Sequence, residues 1–188
     1  MNNFSTSSDL FSRSFSLNMG GRILDLSTPA VMGIINATPD SFYDGGKYHE
    51  RGKAVERIEN MIREGADIID VGGMSSRPGS KPVSAEEEIK RVIPLIEYID
   101  KNYDMLISVD TYRPEVARRA AAAGAHIIND ISALTMDSDM AKTAADCGTS
   151  VVLMHMQGTP EDMQENPVYE YVVDDIYSYL KKRCSFPT

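Results

Sequence analysis

The 188-residue chain contains little cysteine, little histidine and no tryptophan. Its two cysteines, Cys147 and Cys184, do not form a CxxC pair, and no secretory segment accompanies them. A disulfide framework is therefore not expected. The three histidines are too scattered for a zinc-binding pattern such as HExxH. These shortages argue against a small secreted domain and against a zinc enzyme.

Long apolar runs are also absent. No stretch approaches the roughly 18 apolar residues that are typical of a membrane-spanning helix. Residues 1–18 are rich in Ser and Asn and lack the continuous apolar segment of a signal peptide. We therefore expect a cytoplasmic protein that does not associate with a membrane.

Positive charge is scarce, because 19 Lys and Arg face 28 Asp and Glu, which gives a net charge of −9. Proteins that bind nucleic acid present a basic surface, so nucleic acid is not expected as a partner. An anionic substrate would need a local cluster of positive charge. Hydrophobic residues make up 42% of the chain, which suits one globular domain with a sizeable core.

Five short apolar runs predict strands at residues 31–36, 68–71, 106–110, 126–129 and 151–155. The runs are apolar on both faces, as in parallel strands that are covered on both sides. Amphipathic patterns between and after them predict five helices. These lie around residues 54–62, after a capping box from Ser84 to Glu87, and at 114–123, 137–146 and 168–183. Pro94 predicts a kink or an early stop in the second helix.

The connections repeat, since a Gly-Ala-X-Ile-Ile-Asp/Asn motif occurs at residues 65–70 and again at 124–129. This βα repetition predicts a parallel sheet with right-handed crossovers, in either an open doubly wound sheet or a (β/α)8 TIM barrel. Polar residues stand at or just past the strand ends, namely Asn36, Asp70, Asp110, Asn129, Asp130 and His155. Since no GxGxxG is present and barrel strands converge on one mouth, the pattern favours the barrel.

Five βα units do not close an eight-stranded barrel, and about 250 residues is typical of a complete one. We therefore predict an α/β fold that is an incomplete TIM barrel. Residues 1–18 would form an N-terminal extension, and residues 19–188 would form a barrel that is truncated at its C-terminus.

Five segments resemble signatures of the dihydropteroate synthase family, in the family's order and at compatible spacing. They are GIINATPDSF (33–42), DVGGMSSRPG (70–79), SVDTYR (108–113), IINDIS (127–132) and LMHMQG (153–158). The resemblance implies a TIM-barrel transferase of folate biosynthesis. Such an enzyme condenses p-aminobenzoate with hydroxymethyl-dihydropterin diphosphate and releases diphosphate, and sulfonamides compete with its p-aminobenzoate.

The resemblance also implies roles for particular residues. Asn36 would coordinate the Mg²⁺ that holds the substrate diphosphate, in keeping with the preference of magnesium for oxygen ligands. Ser76 would contact the diphosphate side, and Arg77 and Pro78 would help to form the p-aminobenzoate pocket. Asp110 and Asn129 would bind the pterin. Ile131 and Met154 would form the apolar walls of its pocket, and Asp40 and Phe42 would order the first loop. We take Asn36, Ser76 and Arg77 as the catalytic set.

Some alternatives stay open. Without the resemblance, Asn36 could equally well cap its own loop, and residues 72–80 could form an ordinary surface loop. Met74 stands where many relatives have Glu, and Ser76 stands where many have Thr. Met74 is expected to be tolerated, and Ser76 keeps the hydroxyl. A related pterin-binding methyltransferase barrel is a further alternative, but Arg77-Pro78-Gly79 favours the synthase.

The resemblance implies further segments that this sequence lacks, with a second pterin-binding Asp, a Lys and an Arg-x-His. We therefore expect a polypeptide that ends at Thr188 to be inactive alone. The alternative function is a catalytically silent fragment that retains partial binding of pterin or of a partner. A complete chain is expected to be able to form a homodimer.

Overall fold

The computed structural model describes residues 15–37, 47–74, 83–159 and 162–185. Seven strands and five helices lie in these ranges. In chain order they are β1 (Ser16–Met19), β2 (Arg22–Asp25), β3 (Met32–Asn36), α1 (Lys47–Arg63), β4 (Ile68–Gly72), α2 (Ala85–Asn102), β5 (Leu106–Asp110), α3 (Pro114–Ala122), β6 (Ile127–Asp130), α4 (Met140–Cys147), β7 (Ser150–Leu153) and α5 (Val172–Cys184).

The five predicted strands form one parallel sheet in the order β3-β4-β5-β6-β7. Each strand therefore pairs with the next strand of that sheet along the chain, and a helix connects them. An open doubly wound sheet reverses its strand order at a switch point, whereas a TIM barrel keeps the chain order throughout. Across the described residues, the order is that of the barrel.

Each predicted helix is present, but α2, α4 and α5 differ in detail, and α4 begins at Met140 rather than at residue 137. Helix α2 begins after Ser84, whose hydroxyl accepts a hydrogen bond from the Glu87 amide at 3.2 Å, as the capping box predicts. The helix then continues through Pro94 to Asn102, so of the two predicted alternatives, a kink or an early stop, the early stop is wrong. Its apolar face from Val92 to Ile99 is buried, and this burial offsets the backbone hydrogen bond that proline removes.

Helix α5 begins at Val172 rather than at Val168. The Gln157 side chain explains the difference, because its amide donates to the Val168 carbonyl at 2.7 Å and its oxygen accepts from the Val168 amide at 3.1 Å. These two bonds hold Val168 in the preceding loop.

The sheet has two distinct faces. On one face, alternate residues such as Ile69, Ile107 and Ile128 pack against the helices in the main hydrophobic core. The other face carries a small apolar cluster of Ile68, Leu106 and Ile127 near the start of the strands. Since side chains alternate along a strand, Asp70, Asp110 and Asn129 lie on this second face, further along the strands.

A β-hairpin that was not predicted covers the second face near the start of the strands. Strands β1 and β2 pair antiparallel around Gly20 and Gly21, which have φ values of 58° and 92°. A two-residue turn of this kind favours glycine, because both central residues need positive φ. Met19 and Leu24 pack on the small apolar cluster, and Ser150 Oγ donates to the Asn18 carbonyl at 2.8 Å. The hairpin spans the predicted boundary between residues 18 and 19.

The outer strands are less covered than predicted. Strand β4 is buried throughout, but Ile34 of β3 is 59% exposed and Val152 of β7 is 38% exposed. The prediction that every strand is covered on both faces is therefore wrong for β3 and β7, which form the two edges of the described sheet. None of the helices in the described ranges is long and apolar enough to cross a membrane.

Candidate active site

Three predicted site residues lie in one row across the sheet. In the strand register, Asn36 pairs with Gly72, Gly72 with Asp110, and Asp110 with Asn129. Paired residues of parallel strands direct their side chains to the same face. Asn36, Asp110 and Asn129 thus share one face and one level near the carboxyl ends of β3, β5 and β6. We call these three residues and Gly72 the polar row.

Gly72 separates two oxygen-bearing side chains of the row. A Cβ atom added at this position would lie 3.2 Å from Asn36 Oδ1 and 3.5 Å from Asp110 Oδ2. The glycine therefore leaves an open space that both oxygens border. A ligand that contacts Asn36 and Asp110 together can occupy this space only while no side chain fills it.

A buried carboxylate supports the row from below. Asp70 precedes Gly72 by two residues on β4, so it lies on the same face and nearer the barrel floor. Its residue surface is only 2% exposed, and its Oδ2 accepts a hydrogen bond from Asn129 Nδ2 at 3.2 Å. Strand β5 lies between the two residues, so Asp70 links β4 to β6 across it.

The carboxyl groups of the site repel one another. Burial raises the pKa of Asp110 to about 7, and the charges of Asp70, Glu88 and Asp130 contribute to the same rise. Burial also raises the pKa of Asp70, and the neighbouring Ser108 and Asn129 side chains offset this only in part. Near neutral pH, Asp110 can therefore either accept or donate a hydrogen bond.

Helix α2 fixes the chain where the second loop begins. The Glu88 side chain is fully buried and its Oε2 forms an ion pair with Arg113 Nη1 at 2.7 Å. Arg91 Nη1 donates to the Gly73 carbonyl at 3.0 Å, and Tyr112 Oη approaches Met74 Sδ at 3.6 Å. Residues 73–74 are thus held from two sides just before the segment that carries Ser76 and Arg77.

The other predicted site residues have less defined surroundings. Ile131 and Met154 are half-buried and directly follow β6 and β7, near the mouth. Five candidates lie outside the described residues, namely Asp40, Phe42, Ser76, Arg77 and Pro78.

Two polar residues at strand ends serve the local structure. Asp130 is fully buried and accepts hydrogen bonds from the Ser132 amide at 2.8 Å, the Ser132 hydroxyl at 2.6 Å and the Leu134 amide at 3.0 Å. It therefore orders the loop after β6. His155 contacts the rings of Tyr169 and Tyr179, at centroid distances of 5.7 and 4.8 Å.

A groove of about 460 Å³ lies between α1 and the edge strand β3. Lys53 and Arg57 of α1 line it together with Asn36. Asp110 and Asn129 do not line it, so the groove meets the polar row only at Asn36. It belongs to the exposed edge of the sheet.

The described residues contain no group of three or more His, Cys, Asp or Glu side chains that could hold a metal ion. Asn36 Oδ1 and Asp110 Oδ2 nevertheless border the same space beside Gly72. Both are hard oxygen donors, the type that Mg²⁺ prefers, and Mg²⁺ usually takes its remaining ligands from water and substrate phosphates. The donor set therefore fits Mg²⁺ held jointly with an anionic ligand.

Sequence reasoning missed the supporting residues. The sequence pattern marks Asp70 only as a residue at a strand end. Its position two residues before Gly72 also predicts that its side chain lies on the same face of the sheet as the polar row, one level nearer the start of the strand. Glu88 precedes Val92 by four residues and so lies on the apolar side of α2, which is a signal for a buried charge. Its partner Arg113 could not be identified without the packing of α2 on α3.

Comparison with known proteins extends these observations. Residues 32–185 match the family described as pterin binding enzymes. The chain is 52% identical over 160 residues to the dihydropteroate synthase of Escherichia coli K12, and this match covers 85% of the chain and 56% of that protein.

Two solved structures are similar in fold and sequence. The crystal structure of Yersinia pestis dihydropteroate synthase with a sulfonamide drug complex has a TM-score of 0.81 and 43% identity, covering 90% of this chain and 61% of that one. Xanthomonas albilineans dihydropteroate synthase with 4-aminobenzoic acid also has a TM-score of 0.81, with 46% identity, and the match covers 91% of this chain and 60% of that one. The chain thus spans less than two thirds of the length of these relatives.

Proposed function

The chain belongs to the family of pterin-binding enzymes, and we propose that the protein is a dihydropteroate synthase. In this reaction the bond from the methylene carbon of hydroxymethyl-dihydropterin diphosphate to the diphosphate oxygen breaks first, and diphosphate leaves with the bonding electrons. The amine of p-aminobenzoate then attacks that carbon of the resulting pterin cation. The amine then loses a proton, which gives dihydropteroate.

The observation that carries the proposal is the polar row. Asp110 and Asn129 occupy neighbouring positions on β5 and β6, so one ligand edge can contact both. A carboxylate accepts hydrogen bonds from an exocyclic amine and a ring N–H, and a carboxamide offers both a donor and an acceptor. This combination suits the edge of an aminopterin ring. Ile131 and Met154 would supply the apolar walls, since both lie beside the mouth.

Asn36 stands on the other side of Gly72 and would hold the diphosphate end of the same substrate. We propose that Asn36 Oδ1 provides a ligand to Mg²⁺, which its oxygen chemistry fits. When bound, Mg²⁺ neutralises charge that builds on a departing diphosphate. The chain's own contribution is to orient the pterin on β5 and β6 and to leave the space at Gly72 free for the reacting end.

Five finer points remain predictions about the protein. Ser76, Arg77 and Pro78 are proposed to contact the diphosphate and the p-aminobenzoate, and Asp40 and Phe42 to order the site. Sulfonamides are proposed to compete with p-aminobenzoate, which agrees with the drug complex of the Yersinia pestis relative. Cytoplasmic location and homodimer formation also stay predictions.

A catalytically silent pterin-binding protein is the alternative. High identity to a dihydropteroate synthase over most of the chain favours the enzyme, as does the intact polar row.

The test is synthesis of dihydropteroate by the intact protein from the two substrates in the presence of Mg²⁺, followed with labelled p-aminobenzoate. In parallel, Asp110→Ala is expected to weaken binding of the pterin substrate by about 1–3 kcal/mol, because it leaves ring donors unpaired. Calorimetry with p-aminobenzoate should show little change in that variant.

Asp139→Ala is the matched control, because Asp139 is exposed at the start of α4, outside the polar row. It should leave synthesis and both affinities unchanged. Failure of the intact protein to form dihydropteroate would contradict the proposed activity, and unchanged pterin affinity in Asp110→Ala would remove Asp110 from the pocket.

A further inference from the structure

Asp70 has no part in the proposed chemistry, yet it is a buried carboxylate directly below the site. Its Oδ2 accepts the hydrogen bond from Asn129 Nδ2, and the nearby Ser108 hydroxyl offsets part of the rise that burial causes in its pKa, but no donor within the described residues meets hydrogen-bond geometry at its Oδ1. Burying a carboxylate with one unpaired oxygen lowers stability. For folding alone, an apolar side chain would serve better at this depth.

The hydrogen bond restricts how the Asn129 carboxamide can lie. An ionised carboxylate only accepts, whereas a carboxamide has one accepting oxygen and one donating NH₂ group. Facing Asp70, the amide must therefore direct Nδ2 downward, since the reverse orientation would place two oxygens in contact. Oδ1 of Asn129 then remains for a ligand, together with the second hydrogen of Nδ2.

Asp70 can reach Asn129 because of the barrel geometry. The two residues lie on β4 and β6, with β5 between them. Inward side chains from alternate strands of a TIM barrel meet in common layers. The residue of β5 that pairs with Asp70 is Ser108, whose small side chain leaves room for the contact.

We propose that Asp70 is a positioning residue that fixes the orientation of the Asn129 carboxamide and so selects a ring edge that donates a hydrogen bond to Asn129 Oδ1. This inference rests on the proposed function, because it specifies how the pterin ring is recognised. A ring that carries an amino group or a protonated nitrogen at that edge is favoured. A ring that carries a carbonyl oxygen there is rejected.

The experiment compares two ring ligands in the intact protein, 6-hydroxymethylpterin and the analogue in which a carbonyl replaces the 2-amino group. Affinities are measured by calorimetry, and stability is measured by urea unfolding. Asp70→Leu removes the acceptor and is expected to weaken pterin binding roughly 5- to 30-fold, by loss of one oriented hydrogen bond. The ratio of its affinities for 6-hydroxymethylpterin and for the carbonyl analogue should fall, while the urea concentration at its unfolding midpoint should not.

Asp70→Asn provides a second variant that keeps the size of the side chain. Its amide can donate or accept, so Asn129 is free to reverse, and discrimination between the two rings should fall without loss of folding.

The double variant Asp70→Asn/Asn129→Asp provides a rescue. The new amide at position 70 can donate to the new carboxylate at position 129, which again presents an oxygen to the mouth. Pterin affinity should recover relative to Asn129→Asp alone.

Weaker and less selective pterin binding by both single variants, with recovery in the double variant, would support the proposal. Wild-type affinity and wild-type discrimination in Asp70→Leu and Asp70→Asn would overturn it and leave the proposed function intact. Failure of the unsubstituted protein to bind 6-hydroxymethylpterin would instead overturn the proposed function, and the role of Asp70 with it.

Discussion

Replacing Asp110 by asparagine is expected to stabilise the protein at neutral and alkaline pH. The folded protein raises the pKa of Asp110 from 3.8 to about 7. A carboxyl group with a raised pKa favours the folded state most at low pH, and that contribution is lost as pH rises through about 7. The Asp110→Asn substitution removes this loss, because an amide does not ionise in this range.

The size of the effect follows from the displaced pKa. About three pH units at 1.36 kcal/mol each correspond to about 4 kcal/mol between pH 4 and pH 8. Because Asp110 is only half-buried and lies near the mouth, water screens part of this energy, and we expect about 2–4 kcal/mol. The stability difference between Asp110→Asn and the unsubstituted protein should therefore be small at pH 4, should grow as the pH rises to about 7, and should level off above that pH.

Urea unfolding of the intact protein at several pH values, followed by circular dichroism, measures this difference. Asp139→Asn is the matched control, since it makes the same chemical change at an exposed position outside the polar row. Parallel stability curves for Asp110→Asn and the unsubstituted protein between pH 4 and pH 8 would refute the reasoning. They would mean that Asp110 is not in the desolvated, negatively charged environment described above.

Two further predictions concern neighbouring positions. Gly72→Ala should weaken pterin diphosphate binding, measured by calorimetry, with little change in stability, because its Cβ would face Asn36 Oδ1 at 3.2 Å. Gly73→Ala should instead lower the free energy of unfolding by about 1–3 kcal/mol, because its Cβ would lie 2.9 Å from Glu88 Cγ. The reverse ranking of the two variants would contradict the described geometry. Arg113→Met should cost about 3–5 kcal/mol in urea unfolding, since it leaves the buried Glu88 charge unpaired, and adding Glu88→Gln should recover part of that loss. An equally unstable double variant would argue against a paired role.

The sequence predicted the elements that depend on local pattern. The five predicted parallel strands are confirmed, and each coincides with a mainly apolar run; β3 and β5, for example, end in the polar residues Asn36 and Asp110. The TIM-barrel class and the family are confirmed by the solved relatives. The common level of Asn36, Asp110 and Asn129 is a consequence of strand register, which their positions at strand ends already indicated.

Other features depend on contacts between distant segments and could not be read from the sequence. The bond from Asn129 to Asp70 joins residues that are 59 positions apart. The hairpin is a different case, because Gly20-Gly21 between two short runs is a visible turn signal. Its strands have only four residues each and are largely polar or exposed, so they carry no strong strand pattern of their own. The roles of the site residues in binding and catalysis remain predictions.

The strand order also has a consequence for how the protein is made. Because every strand of the large sheet pairs with the next one in the chain, each βα unit can fold onto its predecessor as the ribosome releases it. The hairpin cannot finish in the same way. Asn18 is synthesised first, but its carbonyl accepts a hydrogen bond from Ser150, which is synthesised 132 residues later. The hairpin can pack on Ile68, Leu106 and Ile127 earlier, but it completes its contacts only after Ser150 has been synthesised.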